Sequence, residues 1–230
     1  MWLELFLCLL LAHLLADFVL QTNKVCKNKT DKKWRSPYLY GHIMVVFGLS
    51  WLAAFHVGFW WYAVVIGVSH FGIDLWKSYH EEKVEWFAFD QFLHILVIVG
   101  LSLFWLEYHE WKVPFGINIK VVAILVAVII CWKPANIFIK LMLKHCSVNM
   151  PEDNASGFNA GALIGTVERW LILVFVCLQR YEALGLLIAA KSIIRFTEKQ
   201  TAKTEYVLAG TLLSIFIAVM TGLALLRVIG

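Results

Sequence analysis

Seven ionisable side chains of the kinds that bind metals lie within apolar segments of the first half of the chain. They are His13, Asp17, His42, His70, Asp74, Asp90 and His94. Six of them form three His–Asp pairs spaced four residues apart, so on a helix both members of a pair share one face. Because ionisable residues are costly inside a bilayer, they usually face a bundle interior and mark a functional site. The spacing therefore predicts one polar site inside a helical bundle.

The residue types indicate which ion such a site would hold. Imidazole and carboxylate groups together favour transition metals over calcium, which prefers an all-oxygen shell. The predicted cofactor is therefore a divalent transition metal, namely zinc, manganese or iron. Seven groups exceed the three or four ligands of one catalytic zinc. Either two ions are bound, or one ion is bound and the remaining groups orient its histidines.

The candidate catalytic residues are the aspartates of this set and one lysine. A bound metal lowers the pKa of a water to about 7 and so makes a nucleophile at neutral pH. One of Asp17, Asp74 and Asp90 would act as general base. Lys77, three residues after Asp74, could hold an anionic oxygen. The alternative interpretation is that the histidines and aspartates only form buried hydrogen bonds that join the helices.

The composition is that of an integral membrane protein. Of the 230 residues, 61% are hydrophobic and the mean hydropathy is +0.75, whereas soluble domains are about 45–50% apolar. A helix needs roughly 20 apolar residues to cross the hydrocarbon core. We predict an all-α polytopic fold with eight spans, at about 3–20, 38–56, 59–76, 86–106, 117–133, 160–179, 183–197 and 206–228.

The distribution of positive charge predicts how these spans are oriented. Most lysines and arginines lie in the loops on one side of the predicted membrane, including the basic loop 24–35. By the positive-inside rule that side is the cytoplasm, and both termini lie outside. All seven candidate ligands then fall in the inner half of the first four spans. We interpret the basic loop as a topology determinant that touches anionic lipid. The expected partner is membrane lipid, no nucleic-acid binding is expected, and homo-oligomerisation is left open.

The sequence predicts three parts along the chain. Residues 1–110 form a four-helix bundle with the His/Asp site. Residues 111–158 hold the fifth span, an interruption at Pro134, an amphipathic helix at the inner surface and a polar linker. Residues 159–230 form a C-terminal three-helix bundle with buried charges.

The charged residues of the last part form a second candidate set. The set comprises Glu168, Arg169, Lys191, Arg195, Glu205 and Tyr206. Since unpaired charges inside a bilayer are costly, we expect Glu168 to pair with Lys191 or Arg195, and Arg169 with Glu205. The set either holds three helices together or cradles an anionic headgroup or phosphate, and the sequence leaves both open.

Both sets together resemble a family of uncharacterised bacterial inner-membrane proteins, domain of unknown function 3307. In the first half the resemblance is carried by His13-Leu-Leu-Ala-Asp17-Phe-Val-Leu-Gln21, His42, His70-Phe-Gly-Ile-Asp74-Leu-Trp-Lys77 and Phe89-Asp90-Gln91-Phe-Leu-His94. In the second half it is carried by Ile164-Gly-Thr-Val-Glu168-Arg169, Ala190-Lys191-Ser-Ile-Ile-Arg195-Phe196 and Glu205-Tyr206-Val-Leu-Ala-Gly210-Thr211. The resemblance implies a bacterial inner-membrane location and no particular reaction. The first half is also similar to the His/Asp pattern of membrane-bound metal-dependent hydrolases.

Three functions are compatible with these observations. The leading hypothesis is a membrane-embedded metal-dependent hydrolase that acts on a lipid-linked or amphiphilic substrate at the inner leaflet. A second is a transporter for a metal ion or a proton-coupled solute, which would need broken helices and a path to the outer face. A third is a non-enzymatic membrane effector or interaction partner, whose buried charges serve assembly alone.

Overall fold

The computed structural model describes the backbone of residues 2–111, 117–146, 160–195 and 201–230. The side chains of residues 160, 194, 195 and 201–207 lie outside that description. Within these ranges all regular structure is helical, which confirms the all-α prediction. The chain divides into two compact units, Met1–Val126 and Ala127–Gly230. This division falls inside the fifth predicted span, and the three-part division with boundaries at 110 and 158 stays a prediction.

The first unit consists of the helices that the apolar segments predict and one short polar helix. These are α1 (Trp2–Leu14), α2 (Asn23–Lys32), α3 (Pro37–Ala54), α4 (Trp60–Lys77), α5 (Val84–Tyr108) and α6 (Ile119–Ile130), the last of which crosses the unit boundary. Four of them close into a bundle, since α1 packs on α3, α3 on α4, α4 on α5 and α5 on α1. Apolar side chains from each of the four are buried, among them Leu5, Val46, Ile66 and Ile98, each at most 4% exposed.

The end of the first span departs from a regular α-helix. After α1 the chain continues as a π-helical segment over Leu15–Leu20, which carries Asp17. The sequence predicts an ordinary helix here. A π turn holds more residues than an α turn, so the side chains after His13 are rotated about the helix axis. Such turns are rare and are frequently found at functional sites.

A tight hairpin sets α3 against α4. Helix α3 ends at Ala54, and the next residue, Phe55, adopts a left-handed conformation with φ 48° that reverses the chain. The backbone N–H of Gly58 then donates to Nδ1 of His56 at 3.1 Å. The hairpin places His42 on α3 directly opposite His70 on α4.

The short polar helix α2 is fixed to the start of α3. Ser36, which is fully buried, donates its hydroxyl hydrogen to Oδ1 of Asn28 at 2.8 Å. Pro37 occupies the first turn of α3, where its fixed φ suits the helix and its missing N–H costs nothing. Helix α2 packs against α3 as a result. The sequence predicts this region, 24–35, only as a basic loop.

Several stretches in the described ranges are suited to a membrane. Five are long and apolar enough to cross one, namely Trp2–Leu20, Pro37–Ala54, Val84–Tyr108, Ile119–His145 and Leu208–Ile229. Large apolar side chains also point outward from the helices, as Met44 and Leu186 do at 66% and 72% exposure. Extended apolar surfaces of this kind mark contact with lipid or with other proteins. These features agree with the predicted polytopic fold, and the number of eight spans stays a prediction.

The second unit contains α7 (Lys133–His145), α8 (Ala160–Cys177), α9 (Tyr181–Arg195) and α10 (Thr201–Ile229). Helix α8 packs on α9 and most extensively on α10, and α10 also packs on α7. The approach of α8 to α10 is close at Gly222, where a Cβ atom would lie 2.8 Å from Cγ1 of Val176. Helix α7 follows α6 after only Cys131 and Trp132, and Pro134 lies in its first turn. The predicted interruption is therefore present, while the placement of α7 at the inner surface stays a prediction.

Arg169 of α8 satisfies the polar groups around this interruption. Its side chain is 1% exposed. Nε donates to the carbonyl oxygen of Cys131 at 2.6 Å, a group that the broken helix leaves without its usual partner. The two remaining nitrogens donate to Ser214 Oγ at 3.0 Å, Asn136 Oδ1 at 2.6 Å and Thr166 Oγ1 at 3.1 Å. One guanidinium thus joins the interruption to α7, α8 and α10.

We predict that Arg169→Met destabilises the protein strongly. The substitution keeps an apolar side chain of comparable length but leaves the Cys131 carbonyl and the Asn136 amide oxygen without a donor. Each buried acceptor left unsatisfied costs about 1–3 kcal/mol. Thermal and denaturant unfolding in detergent micelles measure the loss, with Arg180→Met, an exposed arginine in the same unit, as the matched control. Equal stability of the two variants would show that Arg169 does not hold this unit together.

Candidate metal centre

The seven candidate ligands predicted from the sequence meet inside the four-helix bundle of the first unit. We call them the His–Asp cluster. Helix α1 and its π-helical extension supply His13 and Asp17, α3 supplies His42, α4 supplies His70 and Asp74, and α5 supplies Asp90 and His94. Six of the seven are at most 7% exposed, and the Asp17 side chain is 9% exposed. Every helix of the ring thus contributes to one buried polar site.

Three of these side chains form a compact triangle, which we call the primary triad. Nε2 of His42 and Nε2 of His70 are 3.0 Å apart. Oδ1 of Asp17 lies 3.2 Å from each of these nitrogens. In a tetrahedral zinc site with bonds of about 2.0–2.1 Å, neighbouring ligand atoms are about 3.3–3.4 Å apart. The three atoms therefore already have nearly the spacing of three ligands around one ion.

Buried acceptors in the cluster point to a missing positive partner. In the described part of the chain, four buried side-chain atoms make no hydrogen bond of acceptable geometry, namely Asp17 Oδ1, Asp90 Oδ1, His94 Nε2 and Trp105 Nε1. Three of the four belong to the cluster. A buried polar atom without a partner is rare and calls for an explanation, such as a bound ion. The donor set fits a divalent cation, because a carboxylate oxygen and imidazole nitrogens can all coordinate one.

Asp74 occupies the middle of the cluster. Its Oδ2 lies 3.7 Å from Nε2 of both His42 and His70. Its Oδ1 faces the other way, 3.9 Å from Nε2 of His94. The carboxylate therefore borders the primary triad with one oxygen and the rest of the cluster with the other.

A second, looser group contains Asp74, Asp90 and His94, and we call it the secondary triad. Nε2 of His94 is 3.5 Å from Oδ1 of Asp90. The other oxygen of Asp90 accepts from Lys77 Nζ at 2.5 Å and from Gln91 Nε2 at 3.0 Å. These contacts orient Asp90, and the wider spacing makes this group a poorer match to one ion than the primary triad.

The remaining member of the cluster, His13, is held from two sides. Its Nε2 lies 3.3 Å from the amide oxygen of Gln91. Its Nδ1 lies 3.9 Å from Oδ2 of Asp17. The ring also packs at 5.0 Å between centroids against His94, which itself stacks on His70 at 4.0 Å. His13 therefore lies between the two triads, beside the Asp17 carboxylate of the first and the His94 ring of the second.

A lysine that the sequence does not predict as a site residue enters the cluster from α2. Nζ of Lys29 donates to Oδ2 of Asp74. The Gln21 amide, oriented to satisfy both of its polar atoms, accepts from the same ammonium at 2.5 Å and donates to the Asp17 carbonyl oxygen at 3.3 Å. The charges contained a signal for this residue. Three buried carboxylates with only Lys77 beside them require a further cation, and α2 is the nearest basic segment in sequence to Asp17.

The second candidate set lies in the other unit and is described only in part. Glu168 accepts a hydrogen bond from Lys191, which is one of the two predicted pairings. Both side chains are partly exposed, at 21% and 27%. Arg169 makes the four neutral contacts given above. The side chains of Arg195, Glu205 and Tyr206 lie outside the described residues, so the pairing of Arg169 with Glu205 stays a prediction.

Comparison with known proteins identifies the family. A family described as "Protein of unknown function (DUF3307)" matches residues 5–122. The chain belongs to the DUF3307 family. This match contains the whole His–Asp cluster, Lys29 and Lys77, so the buried site lies within the DUF3307 region. No curated protein and no solved structure matches the chain.

We predict that zinc stabilises the protein through the primary triad. Binding to the folded state alone adds about 2.7 kcal/mol when the free ion is 100-fold above its Kd. Thermal unfolding of chelator-treated protein in detergent, with and without zinc, measures the effect. Asp17→Asn and His70→Gln should remove most of the zinc-dependent rise in Tm. His56→Gln, which changes a histidine of the same bundle outside the cluster, should keep it. An equal rise in all four proteins would place the zinc elsewhere.

Proposed function

We propose that this protein is a membrane-embedded metal-dependent hydrolase that acts on a lipid-linked or amphiphilic substrate. The observation that carries the proposal is the primary triad. Two imidazole nitrogens and one carboxylate oxygen lie 3.0–3.2 Å apart inside a bundle. A second carboxylate, Asp74, lies beside them. Three protein ligands with a free fourth position are the arrangement of catalytic zinc sites.

Asp17, His42 and His70 would hold the ion, and zinc is the first candidate among zinc, manganese and iron. When bound, a divalent ion polarises a carbonyl or phosphoryl oxygen and lowers the pKa of a water to about 7. Asp74 is placed to act as general base, because its Oδ2 borders the two ligand nitrogens and Lys29 fixes its orientation. Asp90 would act through His94, with Lys77 and Gln91 holding its carboxylate in place.

The cavity at the cluster is large enough for about one water molecule. A cavity of about 10 Å³ borders the cluster at His13, His70 and His94, which is about the volume that one water requires. A scissile bond therefore has to reach the cluster by a local opening.

Basic and aromatic residues at the end of α2 support a position at the inner leaflet. Lys33 lies over the ring of Tyr79 at 4.1 Å, and Arg35 lies over the ring of Trp34 at 4.9 Å. With Lys32 they border an open cavity of about 420 Å³. Basic side chains next to Trp and Tyr are typical of the cytoplasmic membrane interface. We propose a bacterial inner membrane location, with both termini outside and the cluster in the inner half.

The transporter hypothesis has weaker support. Alternating access uses broken helices whose free backbone groups bind the solute. In the described ranges the junction of α6 and α7 is such a break within a candidate span, and its Cys131 carbonyl is already bound by Arg169. The effector hypothesis does not require the ligand-like spacing of the primary triad.

The proposal predicts that metal binding and hydrolysis separate in two variants. The probes are 4-nitrophenyl laurate and dodecyl 4-nitrophenyl phosphate in micelles, with zinc-loaded full-length protein. Asp74→Asn should keep zinc but hydrolyse about 10²–10⁴-fold more slowly, the usual contribution of a general base. Asp17→Asn should lose both zinc and activity, whereas Asp31→Asn, at an exposed position of α2, should change neither.

Cleavage of neither probe by the zinc-loaded wild type would contradict a hydrolase acting on acyl or phosphoryl esters. If the protein cleaves neither probe but carries zinc into proteoliposomes, the transporter hypothesis would be favoured instead.

A further inference from the structure

Lys29 is unusual among the residues of its own helix. Helix α2 is polar, and Lys29 is the residue of Asn23–Lys32 that is buried. Its ammonium reaches Asp74 across 45 residues of sequence, and Gln21 accepts a second hydrogen bond from it. Lysine is rarely buried without a paired charge. The position of this side chain is therefore determined by the carboxylates of the cluster.

The two lysines divide the carboxylates of the cluster into two kinds. Lys29 binds Asp74 and Lys77 binds Asp90. Among the described residues, no ammonium lies within ion-pair distance of Asp17, whose neighbours are the imidazoles of His13, His42 and His70. The carboxylate without an ammonium partner is thus the one in the primary triad. Both carboxylates of the secondary triad already have an ammonium partner, in each case at Oδ2.

We infer that the Lys29 ammonium takes the place of a second metal ion, so that the site holds one divalent cation in the primary triad. A second ion in the secondary triad would have to bind Asp74 and Asp90 through Oδ1, because their Oδ2 atoms already accept from Lys29 and Lys77. The two ammonium groups balance the charge of these carboxylates and would repel a further cation in a buried site. This inference rests on the proposed function and defines the ion number of the same site. One divalent ion with two ammonium groups and three carboxylates leaves one net positive charge, which favours an anionic group on the substrate.

The number of zinc ions per chain tests the inference. Full-length protein in detergent is freed of metal with a chelator, equilibrated with zinc by dialysis, and analysed for zinc by mass spectrometry. Wild type should bind one equivalent. Lys29→Met, which keeps an apolar chain and removes the charge, should bind a second. Lys29→Arg keeps a cation and should bind one, as should Lys27→Met, a matched control at an exposed position of α2.

The outcomes distinguish this inference from the proposed function. One equivalent in both wild type and Lys29→Met would overturn the role of Lys29 and leave the metal site intact. Two equivalents in wild type would overturn it as well. No zinc in any variant would overturn both the inference and the metal site.

A second measurement uses wild-type protein alone and remains decisive if Lys29→Met fails to fold. N-hydroxysuccinimide acetate acylates accessible amines, and peptide mass spectrometry reports the extent at each lysine. Lys29 should stay protected without zinc and at saturating zinc, while Lys27 reacts in both states. A Lys29 that becomes reactive when zinc is added has been displaced by an ion, which would overturn the inference.

Discussion

Three carboxylates lie inside a bundle whose outer surface is largely apolar, and their negative charge has to be balanced within a few ångströms. Burying an unpaired carboxylate is among the most costly events in folding. Two of the three are balanced by lysines that reach in from the edge of the bundle, Lys29 and Lys77. The third, Asp17, has imidazoles around it and an oxygen without a hydrogen bond. A divalent ion bound at this point would balance the remaining charge.

Much of the local structure of the first unit follows from that requirement. The π-helical segment rotates Asp17 toward two histidines on neighbouring helices. The α3–α4 hairpin holds those histidines 3.0 Å apart. Ser36 attaches α2 to the bundle and so keeps Lys29 within reach of Asp74. The second unit buries a positive charge instead, on Arg169. Its guanidinium donates to neutral acceptors, one of which is the Cys131 carbonyl at the helix break.

The sequence predicts most of the site because its members have a helical spacing inside apolar segments. His70 and Asp74, or Asp90 and His94, stand out as pairs that only a buried polar site explains. The role of Lys29 cannot be predicted in this way, because Lys29 lies in a polar segment, where a lysine is ordinarily solvated. The π turn cannot be predicted either, since Leu15–Leu20 has the composition of any membrane helix. Its geometry depends on tertiary contacts of Asp17 that no local pattern encodes.

We propose that the primary triad coordinates one ion, and the balance of buried charge in the first unit depends on that ion. Zinc K-edge X-ray absorption of zinc-loaded full-length protein tests it directly, because it reports the ligand atoms and their distances. We expect nitrogen and oxygen ligands at about 2.0–2.1 Å, with multiple-scattering features from two imidazoles and no sulfur. A sulfur shell at about 2.3 Å, or an oxygen-only shell without imidazole scattering, would contradict the account.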